Sequence, residues 1–337
     1  MRFGTLILSL FLVSAFAQED EKKGKKGKNE DELRVSGVLE VGFDINNKVH
    51  KDETEYNKIG YGKIDISARP VKKVRAEFGF EYKDRDSALI IDKLFGQYNF
   101  ADFGGVRIGY MKKAFGLEEK AGIDERYFHK RSVINDRLEN FHHLGHDLTI
   151  QYRHKLSENW RLIGGFSWPA DTVRELYHQN YSVEYEGQNA NLILAGIIGH
   201  FTHENYDLIA WVTSISFKYT AKLFVSETEF TFGNNPIIKY VSGRDVFILG
   251  ARMQEYFPIE TGAKTLRQII PIAEAAVYME DLASQDFEAQ LRAGLTLGFA
   301  KNSAFQWRNT YGTRLKVIDG NSEQTHRRFD SEVVVIF

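Results

Sequence analysis

The chain has 337 residues, with 44 Lys and Arg against 46 Asp and Glu, no Cys, and 5 Pro beside 16 Tyr and 25 Phe. The interleaved charges and the formal charge of −2 exclude a basic stripe for nucleic acid, and the lack of Cys excludes a disulfide scaffold. No stretch after the N-terminus reaches the roughly 20 uncharged residues that a membrane helix needs. Helical membrane spans are therefore not expected.

The N-terminus has the pattern of a secretory signal. Arg2 supplies the positive start, Leu6 to Phe16 form a short apolar core, and Ala15-Phe16-Ala17 gives a cleavage site with small residues. We predict a signal peptide at residues 1–17 that is removed. Residues 18–32 are rich in Lys, Gly and Glu and have little to bury, which predicts a flexible periplasmic tail.

The rest of the chain repeats one unit of about ten residues in which apolar and polar side chains alternate before a polar turn. The stretch from Val74 to Lys83 shows the unit clearly, because its apolar and polar side chains fall on opposite faces. A chain of such units with bulky apolar residues on one face and charges on the other predicts a transmembrane barrel. A soluble all-β fold remains an alternative only if a core covers the outward aromatic residues.

Sixteen strands are predicted over a single domain at residues 33–337. Their approximate ranges are 33–45, 59–69, 74–83, 88–100, 106–113, 144–154, 160–168, 177–185, 192–200, 208–219, 223–232, 246–256, 266–279, 287–299, 304–314 and 328–337. The predicted fold class is all-β, an antiparallel transmembrane β-barrel. An even strand number and two periplasmic ends are typical of bacterial single-chain barrels.

One connection is much longer than a turn. About thirty residues without strand-like alternation separate Lys113 from Leu144, and a long segment of this kind is usually functional or disordered. This segment and the strands beside it carry three short motifs. They are Gly109-Tyr110-Met111-Lys112-Lys113-Ala114-Phe115-Gly116-Leu117-Glu118, then Phe128-His129-Lys130-Arg131-Ser132, then Gly145-His146-Asp147.

In their order and spacing these motifs resemble the phosphate-selective porin O and P family. Ala114 stands where that family has proline, Lys130 where it has glutamate, and His146 where it has arginine, so the chain resembles a divergent member. The resemblance covers roughly Asp92 to Ile150 and implies an outer-membrane porin with a pore-constricting loop. It also implies passive diffusion of small hydrophilic solutes, a preference for anions such as phosphate, and a homotrimer in the outer membrane of a Gram-negative-type bacterium. The terminal Phe337 looks like the signal for the barrel insertion machinery.

Selectivity in such a channel depends on the charges at its narrowest part. The candidate constriction residues are Lys113, Arg126, His129, Lys130, Arg131 and Arg137. The basic residues predicted to face the lumen are Arg75, Arg107, Arg153, Arg161, Arg292 and Arg308. Acidic residues share the same faces and the same loop, so cross-bracing of the wall by paired charges is the competing interpretation of each arginine.

Two other function classes stay open. A barrel enzyme could use Ser132 with His142, His143 or His146 near Asp147, although histidines at a strand end are more often interfacial polar residues. A structural or adhesive barrel could bind a partner through its loops. No metal motif, phosphate-cradling loop or nucleotide fingerprint is present in the sequence, so no cofactor is expected.

Overall fold

A computed structural model describes residues 32–49, 53–83, 88–101, 103–121, 126, 128, 130–140, 144–169, 176–203, 206–235, 243–284, 286–299, 304–318 and 321–337. The predicted signal peptide and all but the last residue of the predicted tail lie outside these ranges.

The described residues form seventeen strands in one sheet. They are β1 Glu32–Lys48, β2 Glu53–Val71, β3 Val74–Lys83, β4 Ala88–Ala101, β5 Gly104–Lys112, β6 His146–Lys155, β7 Trp160–Pro169, β8 Leu176–Glu186, β9 Ala190–His203, β10 Tyr206–Thr220, β11 Val225–Asn234, β12 Phe247–Tyr256, β13 Ile259–Glu260, β14 Gln268–Asp281, β15 Asp286–Gly298, β16 Phe305–Ile318 and β17 Asn321–Ile336.

The sheet closes on itself as an antiparallel barrel. Each long strand pairs with its neighbours in sequence, β12 pairs directly with β14, and β13 is a two-residue extension beside β14. Closure comes from β1 and β17, where Val41 lies opposite Val333. Phe337 continues this pairing, because Gly37 and Phe337 exchange backbone hydrogen bonds of 2.8 and 3.0 Å. The sixteen long strands confirm the predicted barrel, and within the described ranges each of them pairs on both sides, as a surrounding hydrocarbon layer requires.

Some strands are longer than the alternation predicts. β2 begins at Glu53 and not near Ile59, and β17 begins at Asn321 and not near Arg328. These extensions are polar on both faces, so the apolar pattern that marks a strand is absent from them although the backbone pairing continues. Hydrogen bonds between strands do not require an apolar face, which is why the pattern alone underestimates strand length.

The two faces of the sheet differ as predicted. In β15, Leu291 and Leu295 are 53% and 40% exposed on the outside, whereas Arg292 and Thr296 on the inner face are 9% and 1% exposed. A large exposed apolar surface is costly in water, at about 25 cal/mol per Å². The same surface has no such free-energy cost against lipid chains, so the outer face of the barrel is suited to a hydrocarbon environment.

Two short helices lie in the connection between β5 and β6, which we call the inner loop (residues 113–145). They are α1, Leu117–Lys120, and α2, Val133–Asn140. Among the helices in the described ranges, none is long and apolar enough to cross a membrane.

The inner loop is held inside the barrel by an apolar cluster. The loop contributes Phe115, Val133, Ile134, Leu138 and Leu144, and the wall contributes Ile193, Ala195, Ile197, Val212, Ile248, Ala276 and Tyr278. At these positions the inner face of β9, β10, β12 and β14 is apolar, in contrast to the polar lumen that the sequence predicts. The reason is that these positions pack against the loop and not against water, and each fully buried large side chain contributes about 1.5–3 kcal/mol.

Candidate pore constriction

The first motif seats the inner loop on β11. Gly116 has a φ of 50°, and the backbone N–H groups of Leu117 and Glu118 donate to Glu229 Oε2 at 3.0 and 3.3 Å. A Cβ at position 116 would lie 2.4 Å from Glu229 Oε1, so only glycine fits this turn. Phe115 beside it is fully buried in the apolar cluster. The turn therefore anchors the loop by an apolar contact and a carboxylate at once.

Glu118 joins the first motif to the second. The Ser132 backbone N–H donates to Glu118 Oε1 at 2.6 Å, and the Ser132 hydroxyl donates to Glu118 Oε2 at 2.5 Å. Burial works to raise the pKa of Glu118, but the cations Arg252 and Arg292 and the Ser132 hydrogen bonds outweigh it and lower the pKa. Glu118 is therefore an ionised bridge across the loop.

Glu119 joins all three motifs. Its fully buried carboxylate forms an ion pair of 2.7 Å with Arg131 of the second motif and accepts a hydrogen bond of 3.2 Å from the backbone N–H of Gly145. Gly145 has a φ of 100°, a conformation that favours glycine. The Lys112 ammonium donates to the Glu119 carbonyl at 3.2 Å. The resemblance motifs thus meet in one network that fixes the two ends of the loop together.

The third motif continues into two contacts with buried carboxylates. Asp147 pairs with Lys113 at 2.8 Å, and His178 Nδ1 lies 3.6 Å from the same carboxylate oxygen. His146 Nε2 lies 3.1 Å from Asp92. These contacts hold the start of β6 against β4, β5 and β8 and place little free charge toward the lumen.

A second attachment point lies beside the first, on β12, β14 and β15, and we call its residues Arg252, Glu274 and Arg292 the loop seat. The two oxygens of Glu274 receive the two arginines, with 2.9 Å to Arg252 Nε and 2.7 Å to Arg292 Nε. Arg292 donates to the backbone carbonyl of Lys130, and its guanidinium lies 4.2 Å from the centre of the Phe128 ring. The seat therefore contacts the second half of the loop through Arg292.

Helix α2 is attached to β15 and β16. Arg314 on β16 pairs with Asp136 at 2.9 Å, Arg137 pairs with Glu288 on β15, and Gln290 Oε1 accepts a hydrogen bond of 2.9 Å from the Val133 backbone N–H. Helix α2 approaches β12 closely at Gly250, because glycine has no Cβ. A Cβ at this position would lie 3.0 Å from Ile134. The inner loop thus crosses the lumen from β5 to the wall at β11–β16.

The candidate constriction residues occupy different environments. Lys113 is 1% exposed in its pair with Asp147, Arg131 pairs with Glu119 and with Glu139 at 3.6 Å, and Arg137 pairs with Glu288. Arg126 is half-buried, and burial followed by the nearby charge of Arg131 lowers its pKa. Lys130 is exposed beside a cavity of about 160 Å³ that Asp136, Arg314 and Arg328 also line. His129 lies outside the described residues.

Four of the six candidate lumen arginines form ion pairs with carboxylates on the same wall. The pairs are Arg75 with Glu77 at 2.6 Å, Arg161 with Glu184 at 3.5 Å, Arg308 with Glu332 at 3.7 Å, and Arg292 with Glu274. Arg107 instead donates to Gln97 at 2.6 Å and lies 5.0 Å from the Phe95 ring centre. Within the described ranges neither Arg107 nor Arg153 has a carboxylate at ion-pair distance.

Arg107 and Arg153 line a cavity of about 590 Å³ at the barrel end where Glu32 lies opposite Arg69. Its cationic residues, which we call the basic mouth, are Lys72, Lys73, Arg107, Arg153, Lys155 and Arg161. Among the described residues that line this cavity, none is acidic. The sequence-based candidates omitted the three lysines, although Lys72-Lys73 is a visible basic pair in the turn between β2 and β3.

Of the residues that the enzyme alternative would need, the structure describes Ser132 and His146, which contact different carboxylates. The Ser132 hydroxyl is engaged with Glu118, and His146 is engaged with Asp92. His142 and His143 lie outside the described residues. In the part of the chain that the structure describes, no group of three or more His, Cys, Asp and Glu residues is arranged to hold a metal ion.

Several solved structures share this architecture over nearly the whole chain. The anion-selective porin from Comamonas acidovorans has a TM-score of 0.68 at 11% identity, covering 91% of this chain and 100% of its own. The outer-membrane channel DcaP of Acinetobacter baumannii has a TM-score of 0.67 at 10% identity, covering 93% and 99%. The trimer form of OmpT, an outer-membrane protein of Vibrio cholerae, has a TM-score of 0.63 at 11% identity, covering 92% and 100%.

No protein-family profile matches the sequence, and a search of curated proteins found no match. The comparisons therefore define the fold class. It is a sixteen-stranded barrel similar to those of outer-membrane porins and channels.

Proposed function

We propose that this chain is an outer-membrane porin, a passive diffusion channel for small hydrophilic solutes in a Gram-negative-type bacterium. The observation that carries the proposal is the closed barrel with apolar side chains outside, charged side chains inside and a loop fixed across the lumen. Such a barrel gives polar solutes a path through hydrocarbon, and the loop limits their size. The likeness to outer-membrane porins and channels supports the same conclusion.

We further propose that the channel prefers anions, with phosphate among its permeants. The basic mouth supports this preference, because Arg107 and Arg153 add positive charge and neither has a carboxylate at ion-pair distance among the described residues. Guanidinium groups keep their charge at all physiological pH values and donate in a fork that suits oxyanions. The resemblance of the inner-loop motifs to the phosphate-selective porins supports phosphate as one permeant.

The proposal includes the context of the channel. Removal of residues 1–17 as a signal peptide, a flexible tail at residues 18–32, and recognition of Phe337 by the barrel insertion machinery belong to it. A homotrimer in outer-membrane lipid is supported by the trimer form of OmpT. We assign no enzymatic activity, because Ser132 and His146 are engaged with separate carboxylates.

Conductance in planar lipid bilayers tests this function. The chain without residues 1–17, folded in detergent, should insert as discrete steps of ohmic conductance, and a heat-unfolded sample should give none. In a potassium chloride gradient the reversal potential should lie closer to the equilibrium potential of chloride than to that of potassium. Added phosphate should reduce the chloride current. Absence of conductance steps from a folded barrel would contradict the channel, whereas cation preference without phosphate block would remove only the anion proposal.

A further inference from the structure

The outer face of the barrel carries a chain of hydrogen-bonded polar side chains among its apolar ones. On β16 and β17, the Trp307 indole N–H donates to the Ser331 hydroxyl at 3.1 Å, and this hydroxyl donates to Asn309 Oδ1 at 2.9 Å. This direction uses the Asn309 carbonyl as an acceptor and leaves the two N–H groups of its amide as donors. Among the described residues, no acceptor lies at hydrogen-bond distance from these two donors.

Asn309 is surrounded by outward apolar side chains on its own strand and on the next one. It lies opposite Leu295 on β15, and Leu291 continues the exposed apolar face of that strand. On β16 itself, the exposed rings of Phe305 and Tyr311 lie on either side of Asn309 along the strand. An amide donor in hydrocarbon is costly without a partner, because acyl chains accept no hydrogen bonds. The Asn309 donors therefore need an acceptor from another molecule.

A recess of small side chains lies directly beside this polar chain. Ala293 on β15 lies opposite Tyr311 on one side and opposite Ala273 on β14 on the other, and both alanines are exposed on the outer face. A methyl group projects less than the ring of Trp307 or Tyr311, so the surface is low beside a ridge of rings. Small residues at such places let two membrane-embedded surfaces approach closely. We call Ala273, Ala293, Trp307, Asn309, Tyr311 and Ser331 the contact face.

We propose that the contact face binds a second copy of this chain and that the Asn309 amide donates to an acceptor of that copy. This inference rests on the homotrimer of the proposed function and adds to it the surface through which the copies meet. In a closed ring each copy presents different patches to its two neighbours, so the ridge of one copy packs into the recess of the next. The contact face also carries hydroxyl oxygens, which accept hydrogen bonds, whereas the acceptors of a lipid lie in its headgroup.

The oligomeric state of Asn309→Leu, measured by native mass spectrometry during dilution in detergent, tests the inference. If Asn309 faced lipid, leucine would remove a polar group from hydrocarbon and leave the oligomer as stable as the wild type. We expect the opposite: the variant oligomer should dissociate at an about tenfold higher protein concentration, because a hydrogen bond between copies is lost. Gln179→Leu is the matched control, since it removes an outer-face amide that accepts a hydrogen bond from Tyr181 on β8, across the barrel from β16.

A second variant, Ala293→Trp, fills the recess and should leave folded monomers, whereas Val183→Trp on the outer face of β8 should assemble like the wild type. An Asn309→Leu oligomer no weaker than the wild type, or an intact Ala293→Trp oligomer, overturns the inference. If these variants do not fold, nitroxide labels on Leu291→Cys and Val183→Cys decide the matter. Distances between copies that are shorter at position 291 support the inference, and distances that are equal or longer there overturn it.

The same measurements separate this inference from the proposed function. A wild-type protein that is monomeric and conducts overturns the contact between copies and leaves the channel in place. An oligomer that assembles through the contact face and does not conduct overturns the channel alone.

Discussion

At the scale of single residues, the inner loop depends on a glycine that a carboxylate approaches closely. Gly116 combines a φ of 50° with contact to Glu229, so a side chain at this position meets both backbone strain and a clash. With a φ of 50° and a ψ of 169°, this backbone conformation costs a non-glycine residue about 1–3 kcal/mol before any clash is counted. This position is therefore more sensitive than most glycines in the barrel.

We expect Gly116→Ala to weaken the seating of the loop by about 1–3 kcal/mol or more, because the new methyl group displaces the Glu229 carboxylate. Single-channel recordings should show added current noise while the barrel remains folded on heat-modifiability gels. Gly62→Ala is the control, since a Cβ there has no atom within 4 Å. Equal noise in both variants, or in neither, would show that Glu229 does not anchor the turn.

The sequence predicts the polar and apolar faces of individual residues well, and it predicts buried partners poorly. The alternation in β15 assigns Leu295 to the outside and Thr296 to the inside, as the structure has them. The role of Glu118 and Glu119 as bridges could not be predicted, because their partners come from positions 132, 131 and 145 and depend on the folded path of the loop. One signal was present: Glu274 is the single charge in an apolar stretch, which indicates a buried partner.

At the scale of elements, charges on neighbouring strands act together. Arg107 on β5 and Arg153 on β6 reach the same cavity as the turn between β2 and β3. A wall with unpaired cations raises the local concentration of anions, and added salt screens the effect over about 10 Å at 0.1 M ionic strength. The ion-paired arginines contribute less to this field, because a carboxylate lies beside each of them.

Replacing Arg107 and Arg153 together by Gln should lower the ratio of chloride to potassium permeability by roughly twofold at low salt, with a smaller effect at 1 M salt. Reversal potentials in potassium chloride gradients measure this ratio. The control is Arg308→Gln, whose arginine is 1% exposed and pairs with Glu332. A larger shift in the control than in the double variant would mean that the basic mouth does not set ion preference.

The strands could be predicted because the alternation of apolar and polar residues is a local property of the sequence. The apolar part of the inner wall could not be predicted in this way. β9 and β12 present Ile197 and Ile248 to the lumen, where the general pattern of barrels places polar side chains. Their partners, Phe115 and Ile134, belong to a distant loop. The runs that are apolar on both faces, such as Ile193 to Ile198, carried this information, but only the docked loop explains them.

At the scale of the whole molecule, channel function depends on which side of the closed sheet meets water. The barrel could be predicted from the number and regularity of its strands, and closure follows because the first and last strands cannot remain unpaired in hydrocarbon. β4 presents both environments within four residues. Leu94 is 49% exposed on the outer face, whereas Gln97 lines the cavity of the basic mouth.

Single cysteines in β4 test the central claim most directly, because the chain has no Cys of its own. Leu94→Cys and Gln97→Cys are each folded into liposomes and treated with a charged, water-soluble thiol reagent. The account predicts that the cysteine at position 97 reacts rapidly and that the one at position 94 stays protected until the liposomes are dissolved in denaturant. Rapid reaction at position 94 in intact liposomes, with protection at position 97, would contradict a lipid-facing outer surface and a water-filled interior.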